Sequence, residues 1–149
     1  MKMPDVNLLL YAVNADSAQQ PAAAAWLEQA FAKPAGIGFA WTALLGFVRL
    51  STKRGIFSEP LELSDALAIL DEWVSHPNAR ILNPGERHAA LLARLLTGVG
   101  AGGNFTSDAH LAAIAIEHGA TLGTWDRDFE RFPGLRLEHL PRHSVHESR

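Results

Sequence analysis

Apolar residues recur along this chain with two different periods. In five segments they stand at i, i+3, i+4 and i+7, the spacing of one helix face, and these segments begin at Ala23, Trp41, Ala66, Ala89 and Leu111. Between the helices lie short apolar runs bounded by Gly, Pro or Asn, which suit buried strands: 2–6, 36–40, 79–82, 120–124 and 135–139. Ser64 and Thr106 are the predicted N-caps of two helices.

Helices that alternate with short apolar strands predict an α/β fold, with a mostly parallel sheet of about five strands covered on both faces. The clearest unit is EHGATLGT, where Gly119 ends a helix and a strand follows. A chain of 149 residues holds one domain, which we place at 1–140, and we expect a flexible polar tail at 141–149. Trp41 and Trp73 occupy helical apolar positions, so we expect both in the core.

Composition narrows the functional classes. The net charge of −3 argues against a broad nucleic-acid-binding face and leaves a local basic patch open. Cys is absent, which excludes disulfides, zinc thiolate sites and thiol nucleophiles and fits a cytoplasmic location. The run 8–13 after Lys2 resembles a signal peptide only loosely, because Asp5 and Asn7 interrupt its start. No stretch is long and apolar enough for a membrane span.

Three acids are expected at one edge of this sheet. Asp5 ends the first strand, Asp126 follows the strand 120–124, and Asp108 lies in the first turn of a late helix. In a parallel sheet, the carboxyl ends of strands and the amino ends of the covering helices share an edge, where ligands bind. The three acids therefore converge if the first and fourth strands are neighbours.

Each acid also has an ordinary structural explanation. Asp108 would complement its helix dipole, Asp126 and Asp128 would form a turn, and Asp5 would cap a helix. Gathered together, however, carboxylates repel one another unless one takes up a proton or a cation lies among them. Oxygen ligands favour a hard ion such as Mg²⁺ or Mn²⁺, and the seven His show no zinc-binding spacing.

Two stretches carry a resemblance to a known family: PDVNLLLYA at the start, and TSDAHLAAIAIEHGATLGTWDRDF near the end. Over nearly its whole length the chain resembles PIN-domain ribonucleases of the VapC toxin type. The resemblance implies a three-layer α/β/α PIN-like fold and a Mg²⁺-dependent endoribonuclease. It also implies inhibition by a VapB-like antitoxin and a homodimer.

The resemblance assigns roles to individual residues. Asp5 and Asp108 match metal ligands, and Asp126 matches the acid after the fourth strand that completes the catalytic and metal site. Supporting polar positions are matched by Asn7, Thr124 and Asp128. The hypothesis is RNA hydrolysis, in which Asp5 and Asp108 hold the ion and Asp126 holds a water molecule by hydrogen bonding.

The chain departs from the family pattern at one position. Many members carry a Glu on the third helix, roughly where this sequence has Gly46. The fourth carboxylate is therefore absent or comes from elsewhere, with Glu59 and Glu62 as candidates. One tightly held ion, with a second recruited by the RNA phosphate, is easier to support than two ions held by the protein.

RNA binding has several candidate residues, which are basic or aromatic: Arg49, Lys53, Arg54, Trp125 and Arg127. They would neutralise phosphates or stack on bases, although ordinary solvated helix faces explain the charges equally well.

The sequence leaves two rival functions open and contains two misleading motifs. A metal-dependent phosphatase and a non-catalytic RNA- or protein-binding module remain alternatives to the nuclease. The segment GVGAGGN (98–104) contains G-x-G-x-x-G but follows a helix, so we interpret it as a loop. Ser107, Asp108 and His110 point in different directions from one helix turn, and no G-x-S-x-G motif is present, so we do not expect a hydrolase triad.

Overall fold

The structure is a computed structural model that describes residues 1–99 and 105–141. Most of the loop expected at 98–104, and the expected tail after Pro141, lie outside these ranges. Five parallel strands form one sheet in the order β3-β2-β1-β4-β5. The strands are β1 (Lys2–Pro4), β2 (Ile37–Phe39), β3 (Ala79–Ile81), β4 (Thr121–Thr124) and β5 (Arg136–His139).

Six α-helices surround this sheet in the described residues. They are α1 (Val6–Val13), α2 (Gln20–Ala32), α3 (Trp41–Ser51), α4 (Leu63–Ser75), α5 (His88–Val99) and α6 (Phe105–His118). A 3-10 helix at Arg127–Arg131 joins β4 to β5. In the described residues, no helix has the length and apolar character needed to cross a membrane.

The core is divided between the two faces of the sheet. On one face, Ile37 and Phe39 of β2 pack in a cluster with residues of α1, α2, α3 and α4. On the other face, Met3 of β1 and Leu122 of β4 pack with α5 and α6. The predicted three-layer α/β/α architecture with a parallel sheet is therefore confirmed.

Helix α1 is an element that the sequence pattern did not reveal. Its apolar run is nearly continuous, so no helical period separates a buried face from an exposed one. The helix begins because the side chain of Asp5 accepts a hydrogen bond from the Leu8 amide, which is an N-cap bond. Leu8, Leu9 and Leu10 are all buried, which ties α1 to the core beside β1.

Three finer expectations differ from the structure. Ser64 and Thr106 are not N-caps, because α4 begins at Leu63 and α6 begins at Phe105, which places both residues inside the first turn. Trp73 is in the core as expected, whereas Trp41 is 45% exposed. The helical period identified the apolar face that carries Trp41, but Trp41 itself is not packed in the core.

Candidate metal and nuclease site

The topology brings the three predicted acids to one edge of the sheet. Strands β1 and β4 are paired neighbours, with Pro4 opposite Gly123, so Asp5 and Asp126 follow adjacent strand ends. Asp108 reaches the same edge from the first turn of α6. All three line one cavity of about 120 Å³, which we call the acid pocket.

A chain of hydrogen bonds fixes the first of these acids. Asp5 is buried, and its Oδ1 accepts the Leu8 amide proton at 2.9 Å while its Oδ2 accepts the Thr124 hydroxyl at 2.5 Å. The Thr124 hydroxyl oxygen in turn accepts the Asp126 amide proton at 2.9 Å. Thr124, at the end of β4, therefore joins Asp5 to the backbone of Asp126.

The turn after β4 orients the second acid. Asp126 caps the 3-10 helix, because its Oδ1 accepts the Asp128 amide proton at 2.9 Å. Asp128 is exposed, and its carboxylate lies 3.9 Å from the Arg131 guanidinium. Asp128 thus supports the turn from outside the cavity, whereas the predicted supporting residue Asn7 lines the cavity itself.

Burial and like charges both favour the protonated forms of two acids. Burial, with contributions from the charges of Asp126 and Asp108, raises the pKa of Asp5 to about 6, although its two hydrogen bonds act in the opposite direction. Burial and then the charges of Asp126 and Asp128 raise the pKa of Asp108 to about 6. Near pH 7 the pocket therefore holds carboxylates that repel one another.

A divalent cation fits this donor set. The pocket offers carboxylate oxygens, which hard ions prefer, and a cation would offset the repulsion that raises the pKa of Asp5 and Asp108. No group of three or more His, Asp or Glu in residues 1–99 and 105–141 forms a preassembled metal site. Mg²⁺ usually keeps several waters and binds through one or two carboxylates, so a complete protein cage is not required.

The fourth carboxylate does not come from the expected candidates. Glu59 and Glu62 are exposed, Glu62 is the N-cap of α4, and neither lines the acid pocket. Gly46 packs so closely on α1 that an added Cβ would lie 2.8 Å from Cγ2 of Val6. Of the described carboxylates, only those of Asp5, Asp108 and Asp126 line this pocket.

Two hydroxyl-bearing residues of the acid pocket were not predicted as site residues. Thr42 and Ser107 line it together with the acids. Thr42 is the second residue of α3, the helix that follows β2, so the rule that located Asp108 at a helix start also locates Thr42. Nδ1 of His110, a residue of the excluded triad, lies 2.8 Å from Nε2 of His88 on α5.

The predicted RNA-binding residues differ in exposure and in their partners. Arg49, near the end of α3, and Lys53 and Arg54, beyond it, are exposed. Arg127 is exposed and pairs with Glu130 at 3.4 Å. Trp125 is half-buried, with its indole N–H donated to the carbonyl of Pro141 and its ring in edge contact with Tyr11.

Comparison with known proteins places this geometry in a family. The PIN domain family matches residues 2–135. Ribonuclease VapC37 of Mycobacterium tuberculosis is 47% identical over 141 residues, covering 95% of this chain and 98% of the relative. Ribonuclease VapC33 of the same species is 39% identical, covering 91% of this chain and 95% of the relative.

Solved structures show the same fold at lower sequence identity. VapBC2 from Rickettsia felis, solved bound to a promoter DNA fragment, matches with a TM-score of 0.68 at 23% identity and covers 93% of this chain and 97% of that one. VapC20 of Mycobacterium tuberculosis, described as a toxin that cleaves the sarcin-ricin loop, matches with a TM-score of 0.65 at 17% identity, over 91% and 99% of the two chains. Since the family match spans most of the sequence, and a curated relative is 47% identical over nearly its full length, this chain belongs to the PIN-domain family and, within it, to the VapC-type ribonucleases.

Proposed function

We propose that this protein is a divalent-metal-dependent endoribonuclease toxin that hydrolyses RNA phosphodiester bonds in the cytoplasm and is inhibited by a small VapB-like antitoxin. The observation that carries this proposal is the convergence of Asp5, Asp108 and Asp126 on one pocket at the β1–β4 edge. The names of the curated relatives, which are ribonucleases, support the same reaction. A phosphatase or a binding module has no comparable support.

Asp5 and Asp108 are the proposed ligands of Mg²⁺ or Mn²⁺. When bound, the ion supplies positive charge opposite the phosphate oxygens and lowers the pKa of a water molecule. Thr124 holds the Asp5 carboxylate in a fixed orientation through its hydroxyl, so the ligand is positioned before substrate arrives. Among the described residues, three carboxylates and no fourth line the pocket, which favours one ion held tightly by the protein.

Asp126 is the proposed acceptor for the attacking water. Its Oδ1 is bonded to the Asp128 amide, and its Oδ2 accepts no hydrogen bond within the described part of the chain. Oδ2 is therefore available to accept a proton or a hydrogen bond from a water molecule in the pocket. Asp128 keeps this orientation by donating its own amide proton to Asp126.

Incubation with RNA tests the proposal directly. Purified protein is mixed with total RNA, with Mg²⁺ or with a chelator, and the cleavage ends are mapped. We expect internal cuts that leave a 5′-phosphate and a 3′-hydroxyl in Mg²⁺, and no cuts in the chelator. Equal cleavage in both conditions, or none in either, would contradict the proposal.

Three exposed cations near the end of α3 and just beyond it are the proposed phosphate contacts. Arg49, Lys53 and Arg54 have no ion-pair partner among the described residues, in contrast to Arg127, which pairs with Glu130. Charge reversal at Lys53 should weaken RNA binding and reduce its salt dependence by about one counterion. Trp125 has a lesser role in this proposal, since Tyr11 and Pro141 already engage its ring.

An apolar groove is the proposed antitoxin site. It has a volume of about 540 Å³, lies between α1, α2 and α4, and is lined by apolar residues that include Leu27, Phe31, Ile69 and Trp73. Phe31→Glu should prevent copurification with the cognate antitoxin and leave RNA cleavage intact, whereas loss of cleavage as well would indicate misfolding.

A second copy of the chain is the proposed partner of α3. Trp41 and Leu45 lie one turn apart on this helix and are 45% and 59% exposed. Two large apolar side chains at this spacing form a stripe that a second helix can cover.

A further inference from the structure

A second cavity adjoins the acid pocket and has a different chemistry. It has a volume of about 430 Å³ and lies between α3, α5 and α6; we call it the lateral pocket. Val6, Thr42 and Ser107 line both cavities, so the two share a wall. A polymer whose phosphate reached Asp108 would therefore have its next unit beside the lateral pocket.

The floor of the lateral pocket is apolar. Leu50 of α3 and Leu92 of α5 contribute aliphatic surface, and Val6 of α1 adds to it. Gly46 also lines the pocket and, having no side chain, leaves the space between these residues open. The volume lies within the range of about 300–1,000 Å³ that is typical of small-ligand sites.

The remaining lining residues are polar, and among the described ones none is acidic. Arg49 lines the pocket as a cation that makes no ion pair within the described residues. Thr106 offers a hydroxyl from the first turn of α6. This contrasts with the acid pocket next to it, which three carboxylates line.

The imidazole of His110 completes the polar set. Its Nδ1 is engaged by Nε2 of His88 at 2.8 Å, while its Nε2 has no hydrogen-bond partner among the described residues. Nε2 is therefore available to make one hydrogen bond with a ligand in the pocket.

An apolar floor, hydroxyl and imidazole groups and one cation match the parts of a nucleotide, which has flat apolar faces, a polar base edge and a phosphate. We propose that the lateral pocket binds the nucleoside next to the scissile phosphate in single-stranded RNA, with Arg49 on the phosphate and His110 on the base edge. This inference rests on the proposed nuclease function and adds a source of sequence preference to it.

Cleavage of a randomised single-stranded RNA pool in Mg²⁺, followed by sequencing of the ends, tests the inference. The wild-type protein is expected to prefer one base beside the cut. His110→Ala should reduce that preference by about tenfold, the loss expected for a base-edge hydrogen bond. His118→Ala is the matched control, since His118 lies on the same helix and bonds to the carbonyl of Asn83, away from this pocket. An unchanged preference in a folded His110→Ala variant would overturn the inference.

Thr106→Val is a second test that is expected to fold, because Thr106 is exposed and the change keeps the shape of the side chain. It should also weaken the preference, and its melting temperature should match that of the wild type. If His110→Ala does not fold, an unchanged base preference in the folded Thr106→Val variant would contradict nucleoside binding in the lateral pocket.

Binding without cleavage separates this inference from the proposed function. Affinity for a labelled single-stranded oligoribonucleotide, measured by fluorescence anisotropy in EDTA, should fall about tenfold in Arg49→Gln. Arg80→Gln, an exposed change on β3, should have no effect. If the wild-type protein binds RNA in this way but never cleaves it, the proposed nuclease function is refuted, whereas nucleoside binding in the lateral pocket is not. Arg49→Gln that instead changes the oligomeric state in light scattering would identify the pocket as an interface between copies and refute the inference.

Discussion

At Asp5, one side chain caps helix α1 and lines the acid pocket at the same time. Its two oxygens are bonded to the Leu8 amide and the Thr124 hydroxyl, and its burial raises its pKa to about 6. The two hydrogen bonds favour the ionised carboxylate, whereas burial disfavours it.

Asp108 should be essential for cleavage and dispensable for folding. Asp108→Asn removes a proposed metal ligand but keeps the side-chain shape in the first turn of α6, so RNA cleavage in Mg²⁺ should fall at least 100-fold, which corresponds to about 3 kcal/mol of transition-state stabilisation. Asp65→Asn is the matched control, since Asp65 is exposed in the first turn of α4. Comparable activity in the two variants would remove Asp108 from the site.

Asp5 predicts a specific dependence of stability on pH in the metal-free protein. Because its folded pKa is raised from 3.8 to about 6, the folded state holds a proton that the unfolded state has lost between these values. The stabilising contribution is complete below pH 3.8 and is lost as the pH rises through about 6. At pH 7.5 the ionised side chain therefore destabilises the fold, by about 3 kcal/mol at most.

Asp5→Asn removes this charge and preserves the bond to the Leu8 amide. The variant should melt above the wild type at pH 7.5 in EDTA, and the difference should shrink at pH 4.5. The lowered pKa of His110 acts in the opposite direction over part of this range, but it is common to both proteins and cancels in the difference. Differential scanning calorimetry at the two pH values checks this, and a wild type that melts higher at pH 7.5 would contradict it.

At the scale of elements, α1 and α3 meet at a contact that only glycine permits. A Cβ at Gly46 would lie 2.8 Å from Cγ2 of Val6, closer than carbon atoms pack. A larger side chain at this position therefore requires α3 to move away from α1.

A double-mutant cycle can measure this contact. Alanine is favoured over glycine inside a helix by about 1 kcal/mol, yet Gly46→Ala should destabilise the protein by about 1 kcal/mol because of the clash with Val6. In a Val6→Ala background the same change should be neutral or stabilising. Gly98→Ala is the control, because an added Cβ there meets nothing within 4 Å. Urea denaturation gives the free energies, and a stabilising Gly46→Ala in the wild-type background would disprove the clash.

An element could be predicted from the sequence where Gly or polar residues bound or interrupt its apolar run. An element inside a nearly continuous apolar run could not. Strand β4 was recognisable because Gly119 and Asp126 bound a short apolar run, and the position of Asp108 followed from a helix start at the same sheet edge. Helix α1 was hidden because its apolar run shows no period. The bond between His88 and His110 joins residues from different helices, and no local pattern encodes such a contact.

At the scale of the whole molecule, the proposed sites occupy different surfaces. The acid pocket and the lateral pocket lie at the carboxyl edge of the sheet, whereas the apolar groove lies among α1, α2 and α4. A partner can bind in the apolar groove without contacting Asp108. Binding of a partner and hydrolysis of RNA can therefore be separated by mutation.

The exposed stripe on α3 predicts a dimer. Leu45→Glu places a charge where a second copy is expected to pack, and an unpaired charge in an apolar interface is costly, so the protein should become monomeric at micromolar concentration. Leu63→Glu is the matched control, because Leu63 on α4 is 57% exposed, close to the 59% of Leu45. Multi-angle light scattering should show a dimer for the wild type and for Leu63→Glu. A wild-type monomer, or a dimer that survives Leu45→Glu, would show that this stripe does not join two copies.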